Sequence, residues 1–189
     1  EGTAYGMGWE KACAMLADNG FNAIFPNLLW SGVGFYPSKV VPVAKAVATE
    51  GDQLQAVLDA AHKPGMAVHL WKVGWEPGWM SDPAVSVPFR FAGRMQVDRN
   101  GKQGDWLCPS NAKNRKYELD AIREAVAKYP IDGFHLDYIR FGGDEWQRGR
   151  QKQQGRQTFE PQRHRDTKSH WMGSPWRFSR FLNSLDREG

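Results

Sequence analysis

The 189-residue sequence is poor in several things, and each shortage excludes something. It has two cysteines, Cys13 and Cys108, with no metal-ligand spacing between them. Two residues cannot make a multi-disulfide scaffold, and both a single disulfide and two free thiols fit the spacing. No apolar run is long enough to cross a bilayer. Residues 1–141 carry no charge excess, with fifteen Lys or Arg against fifteen Asp or Glu. Nucleic-acid binding as a main function is therefore disfavoured, because the part with a foldable pattern has no basic excess. The chain begins at Glu1 rather than methionine, which leaves room for an upstream segment.

Aliphatic residues run out late. Between Gly142 and Gly189 the only Leu, Ile or Val residues are Leu182 and Leu185, while six Gln and ten Lys or Arg stand against six Asp or Glu. Such a stretch buries too little apolar area to offset its ordering entropy. The composition favours a disordered tail, or a reading frame lost after Phe141, over a basic binding arm. Trp176, Phe178, Phe181 and Leu185 have the spacing of a short terminal helix.

What is present before Gly142 is an alternation of helix and strand patterns. Trp9, Ala12, Cys13 and Leu16 mark a helix that stops at Asn19-Gly20. Phe21–Trp30 is an apolar run of strand length, with Pro26 requiring a bulge or an end. Residues 31–51 read as a loop. Asp52 is placed to cap a helix carrying Leu54, Val57, Leu58 and Ala61, which ends at Lys63-Pro64-Gly65. Met66–Val73 is a second strand. The long connection from Gly74 to Trp106, with a turn at Asn100-Gly101, has the length of a functional loop or small subdomain. A helix capped by Ser110 or Asn111 buries Leu119, Ile122, Ala125, Val126 and Tyr129 and ends at Pro130.

The third strand is Ile131–Phe141, IDGFHLDYIRF. Alternation puts Phe134, Leu136 and Tyr138 on one face and His135, Asp137 and Ile139 on the other. A carboxylate in an apolar strand is costly to bury, and it persists where a strand ends in a cleft. Repeated helix–strand units predict an α/β fold with adjacent parallel strands and right-handed crossovers. A closed eight-fold barrel takes about 250 residues, so three legible strands predict a partial (β/α)8 TIM-barrel-like sheet over 1–141 and a poorly ordered tail over 142–189.

GFNAIFPNLLW (residues 20–30), GMAVHLWKV (65–73) and WLCPSNAKNRKYELDAIREAVAKYPIDGFHLDYIRF (106–141) together resemble the glycosyl hydrolase-like 10 domain family, bacterial proteins of TIM-barrel type. FYPS at 35–38 and Arg115 near the start of the last helix add to the likeness. The resemblance implies hydrolysis of O-glycosidic bonds in an oligo- or polysaccharide, commonly outside the cytoplasm; neither a cofactor nor a bound metal is expected. That reaction uses two carboxyl groups about 5 to 10 Å apart. Asp137 is the first candidate, and pairing with His135 or Arg140 is its bland alternative. If the strands are parallel, their ends bring Asn27, Trp30, His69, Trp71, Lys72, Trp75, His135 and Arg140 to the same rim as candidate sugar contacts. Asn, His and Lys suit hydroxyls, and Trp rings, with Trp79 among them, suit stacking. Glu76 is a weak candidate for the second acid.

Two other readings stay open. One is a carbohydrate-binding relative without an acid pair. The other is metal-assisted deacetylation using His135, Asp137 and His69, although a two-residue HxD is weak evidence for a metal. With no credible strand after Phe141, the expectation is that this chain alone is a weak or inactive hydrolase.

Overall fold

A computed structural model of the chain describes residues 6–30, 32–77, 83–98 and 100–142. The expected tail, apart from Gly142, lies outside these residues, as do the terminal-helix residues and Trp79.

The three expected strands form one parallel sheet. The first is split into β1 (Ala23–Ile24) and β2 (Asn27–Trp30), both pairing with the same side of β4 (Ala67–Val73). Pro26 causes the split but not a slip, since Ile24↔Val68 and Asn27↔Trp71 keep one register. The irregularity falls one step later, between Asn27 and Leu29, so that both Leu28 and Leu29 are buried. The other side of β4 takes β7 (Gly133–Asp137), from His69↔Gly133 to Val73↔Asp137.

Helices pack on one face. α1 (Trp9–Asp18) and α3 (Gln53–His62) lie together, and α5 (Ala112–Lys128) follows the subdomain. Asp52 caps α3 by accepting from the Gln55 amide at 3.0 Å, and Asn111 caps α5 by accepting from Lys113 at 2.9 Å. Such caps contribute about 1 kcal/mol each. Asp52 also takes the Tyr129 hydroxyl at 2.6 Å, which ties the start of α3 to the end of α5. Leu54, Val57, Leu58, Val68, Leu70, Ala121 and Ala125 form the core between helices and sheet. Each large aliphatic side chain there contributes about 1.5–3 kcal/mol by leaving water.

The α5 stripe differs from expectation. Asn114, Glu118, Ala121, Ala125 and Tyr129 are buried, while Leu119, Ile122 and Val126 are only half-buried. The polar pair takes core positions because each has a partner. Asn114 gives its amide hydrogens to the Arg94 and Cys108 carbonyls at 2.8 and 2.9 Å, and Glu118 meets Lys72.

Residues 31–51 are less of a loop than expected. β3 (Val33–Gly34) pairs antiparallel with β2, and α2 (Val47–Glu50) is a single turn. FYPS is a brace: Tyr36 is fully buried, and the Ser38 hydroxyl and the Lys39 amide both donate to Glu124 of α5. The long connection holds a subdomain of α4 (Pro83–Phe91) and the hairpin β5 (Met95–Val97) with β6 (Gln103–Leu107). The hairpin loop contains the expected Asn100-Gly101, with Gly101 at φ +84°. Phe89, Met95 and Leu107 make its own small core. Both cysteines are free thiols, and among the described residues no helix is long and apolar enough to cross a membrane.

Candidate functional site

Alternation in β4 decides which side chains can meet. Val68 and Leu70 face the helices and are fully buried. His69 and Trp71 therefore face the other way, onto the open face of the sheet. Register brings Asn27, Trp71 and His135 into one row across the three strands. The row beneath holds Phe25, His69 and Gly133. Ring contacts bear this out: Phe25 lies 4.9 Å from His69 and 5.7 Å from His135, and Trp71 lies 5.4 Å from His135. Gly133 is needed for this packing, since a Cβ there would sit 2.7 Å from His69 Nδ1. Within the row, Asn27 Oδ1 and Trp71 Nε1 are buried without a hydrogen-bond partner among the described residues. Both belong to one row, and each is a buried polar group left without a partner there.

Asp137 ends β7 one row above. Its carbonyl accepts from the Gly74 amide at 2.8 Å, the last rung of the β4–β7 ladder. The next residue, Tyr138, has φ +53°, the one positive φ outside glycine among the described residues. That backbone costs about 1–2 kcal/mol for a residue with a Cβ. It ends the strand at Asp137, short of the expected Phe141. The Tyr138 amide donates to Asp137 Oδ1 at 2.7 Å, and its carbonyl accepts from Trp75 at 3.3 Å. The carboxylate is thus half-buried at the rim and held by its own following peptide.

Arg140 does not pair with Asp137 among the described residues. Its guanidinium lies over the rings of Trp106 and Tyr138, 5.2 and 5.4 Å from their centroids. Trp106 in turn packs on Gly142, where a Cβ would come within 2.7 Å of the indole. This aromatic–guanidinium group beside Asp137 has no periodic signal in the sequence, because Trp106 comes from the subdomain hairpin.

Lys72 is not on the rim face with His69 and Trp71. Being one residue on from Trp71, it points to the helices, where it is 4% exposed and meets Glu118 at 2.7 Å. Burial pushes the Glu118 carboxyl up, against the pull of the Lys72 ammonium and its hydrogen bond and of Arg94. Glu76 lines the same inner cavity as Lys72 and Glu118. Trp75 is half-buried against the Phe89–Met95–Leu107 core, and its carbonyl takes the Leu107 amide at 2.7 Å. Trp30, at the end of β2, is 47% exposed.

A family model described as Glycosyl hydrolase-like 10 matches residues 9–186. The chain belongs to this family. The match of this glycosyl hydrolase-like 10 chain runs past Phe141 across most of the basic tail. Among curated relatives, Glycosyl hydrolase DigH of Escherichia coli (strain K12) is 31% identical over 139 residues, which is 62% of this chain and 30% of the relative. The protein of the same name from Shigella flexneri matches to the same extent. The chain thus spans 30% of the length of these relatives. Among solved structures it resembles an alpha-amylase from Geobacillus thermoleovorans complexed with acarbose, with a TM-score of 0.51 at 19% identity. The likeness covers 79% of this chain and 38% of the amylase. At that identity it bears on fold, and it agrees with an incomplete TIM-type barrel.

Proposed function

We propose that this chain carries one side of a glycoside hydrolase site, acting on O-glycosidic bonds of an oligo- or polysaccharide, with Asp137 as one of its two carboxyl groups. The observation that carries the reading is the position of Asp137. It closes a parallel strand at its C-terminal end, on a strained turn, above a row of Asn27, Trp71 and His135. Barrel enzymes place their chemistry at this end of the strands. Asp137 would act as nucleophile or as the ionised partner of a general acid. Asn27 and Trp71 would hold a hydroxyl of the sugar next to the scissile bond, and His135 would set the wall beside it. An extracytoplasmic location is part of the proposal and rests on the family likeness.

The second acid belongs to a later strand in this reading. Glu76 is a poor choice, because it lines the inner cavity with the Lys72–Glu118 pair. A chain spanning 30% of its relatives is expected to need the remaining strands for turnover. Metal-assisted deacetylation receives less support, since among the described residues no three His, Cys, Asp or Glu side chains gather as a metal site would require. A binding-only relative is the competing reading, favoured by the unmet polar atoms of Asn27 and Trp71.

The test is turnover and binding of a panel of oligosaccharides by this chain and by a chain extended to the length of the curated relatives. The proposal expects hydrolysis by the extended chain and little by the short one. Binding without hydrolysis by the extended chain would favour the binding-only reading.

A further inference from the structure

On the side of β7 the helix layer ends in an apolar flank. Glu124 of α5 accepts from the Ser38 hydroxyl and the Lys39 amide, and the Lys128 ammonium donates to the Pro37 carbonyl at 2.9 Å. That flank of α5 therefore faces the segment after β3. Counting about 100° per residue, Leu119, Ile122 and Val126 fall together on the opposite flank. It looks past β7, which pairs with β4 and with no further strand among the described residues. All three side chains are half-buried there. Leu136 adds to them from the sheet. Its register partner is Lys72, so it lies on the helix side, yet it is 45% exposed. Together these aliphatic side chains make an apolar strip about two helical turns long.

The end of the sequence carries a counterpart. Residues 143–189 lie outside the described residues, and their sequence pattern alone enters here. Ser174 and Pro175 stand as a cap residue and a first-turn proline, the start signal of a helix, and Gly189 closes the stretch. Phe178, Phe181, Leu182 and Leu185 recur at i, i+3, i+4 and i+7, which is one apolar stripe about two turns long. Arg180, Asn183 and Arg187 fall on the other face. The family model continues to residue 186, so this stretch belongs to the same match as the described sheet. Consecutive elements usually lie side by side, and a segment that follows a parallel strand returns over the helix side of the sheet. The connection over 143–173 can reach about 100 Å when extended, against a length of about 25 Å for α5. Reach therefore sets no limit.

From this match of stripe to strip we infer that residues 174–186 dock as an amphipathic helix on Leu119, Ile122, Val126 and Leu136, extending the helix layer beyond β7. Two apolar stripes of equal length pack as neighbouring helices do, with axes about 8–10 Å apart. The occupant is this segment rather than a second copy of the chain, because a tethered stripe meets the strip at a high effective concentration. Docking there is independent of any glycan chemistry at Asp137.

The test is methyl NMR of the full 189-residue chain with 13C-labelled isoleucine δ1 methyls. The sequence has four isoleucines, Ile24, Ile122, Ile131 and Ile139, so each methyl is assigned by its own Ile→Val variant. Expected are NOE cross-peaks from the Ile122 methyl to phenylalanine ring protons. They should vanish in a chain carrying Phe178→Leu and Phe181→Leu together, which keeps the helical pattern and the apolar stripe. The Ile24 methyl, on β1, should keep its position in that chain and so report an intact sheet. Cross-peaks from the Phe178 and Phe181 rings to Ile24 or Ile139 but not to Ile122 would place the segment elsewhere and overturn the docking. Cross-peaks at Ile122 that survive the double substitution would also overturn it, as would their absence in the unsubstituted chain. A sample mixed from labelled and unlabelled chains separates the remaining case: Ile122 contacts that arise only between chains would assign the strip to a second copy and overturn the docking.

Discussion

Asp137 and Tyr138 hold each other at the end of the last described strand: the Tyr138 amide donates to Asp137 Oδ1 at 2.7 Å, and Tyr138 takes a left-handed φ of +53° to do so. A side chain with a Cβ is strained there, and a β-branched one more so. Tyr138→Gly and Tyr138→Val both remove the ring, yet only glycine relieves the backbone. Tyr138→Val should be less stable than Tyr138→Gly by about 1–2 kcal/mol in chemical denaturation. Equal stabilities would mean that the turn does not hold this conformation.

The floor beneath Trp71 and His135 depends on Gly133. Gly133→Ala places a methyl 2.7–2.9 Å from His69 Nδ1 and Cε1, so the imidazole must leave its contact with Phe25. Overpacking of this kind should cost about 1–3 kcal/mol. His69→Ala in the same chain should return part of it, which a double-mutant cycle in urea would measure.

The Lys72–Glu118 pair offers a different test. Both side chains are nearly out of water, 5% and 11% exposed, so removing one leaves a buried charge. Lys72→Met or Glu118→Leu alone should cost about 3–5 kcal/mol. The double substitution should cost much less than the sum, since it leaves two apolar groups facing each other. Additive losses would show that the pair is solvated.

Acid should loosen the opposite end of the sheet. Asp132 accepts from the Val68 amide and from His62 Nε2, both at 2.8 Å. Burial pushes its carboxyl up, but the Val68 hydrogen bond, the His62 hydrogen bond and charge, and the charge of His69 outweigh it, so the net direction is below the ordinary 3.8. A depressed carboxylate stabilises the fold above its unfolded pKa and loses that contribution as pH falls through its folded value. Asp132→Asn should therefore flatten the fall in stability below about pH 4. Parallel curves for the two proteins in acid denaturation would contradict this.

Much of this arrangement was readable before the fold was known. The alternation of β4 and β7 and the caps Asp52 and Asn111 are local, and local signals placed the parallel strands and their helices correctly. The sequence brings Asn27, Trp71 and His135 only to one rim, and the observed register sets them in one row. Three things did not follow. Lys72 stands near the strand end and so reads as a rim residue, whereas its partner Glu118 lies in a helix whose rotation depends on tertiary packing. The end of β7 depends on a single left-handed residue that hydrophobic alternation cannot register. The Arg140 stack on Trp106 and Tyr138 joins residues from separate elements.

The most direct test is kcat for oligosaccharide hydrolysis in a chain extended to the length of the curated relatives, compared with the same chain carrying Asp137→Asn. The substitution keeps the shape and removes the carboxylate. The account predicts a fall of about a thousand-fold or more with unchanged thermal unfolding. Full turnover by the Asp137→Asn chain would remove Asp137 from the chemistry and contradict the account.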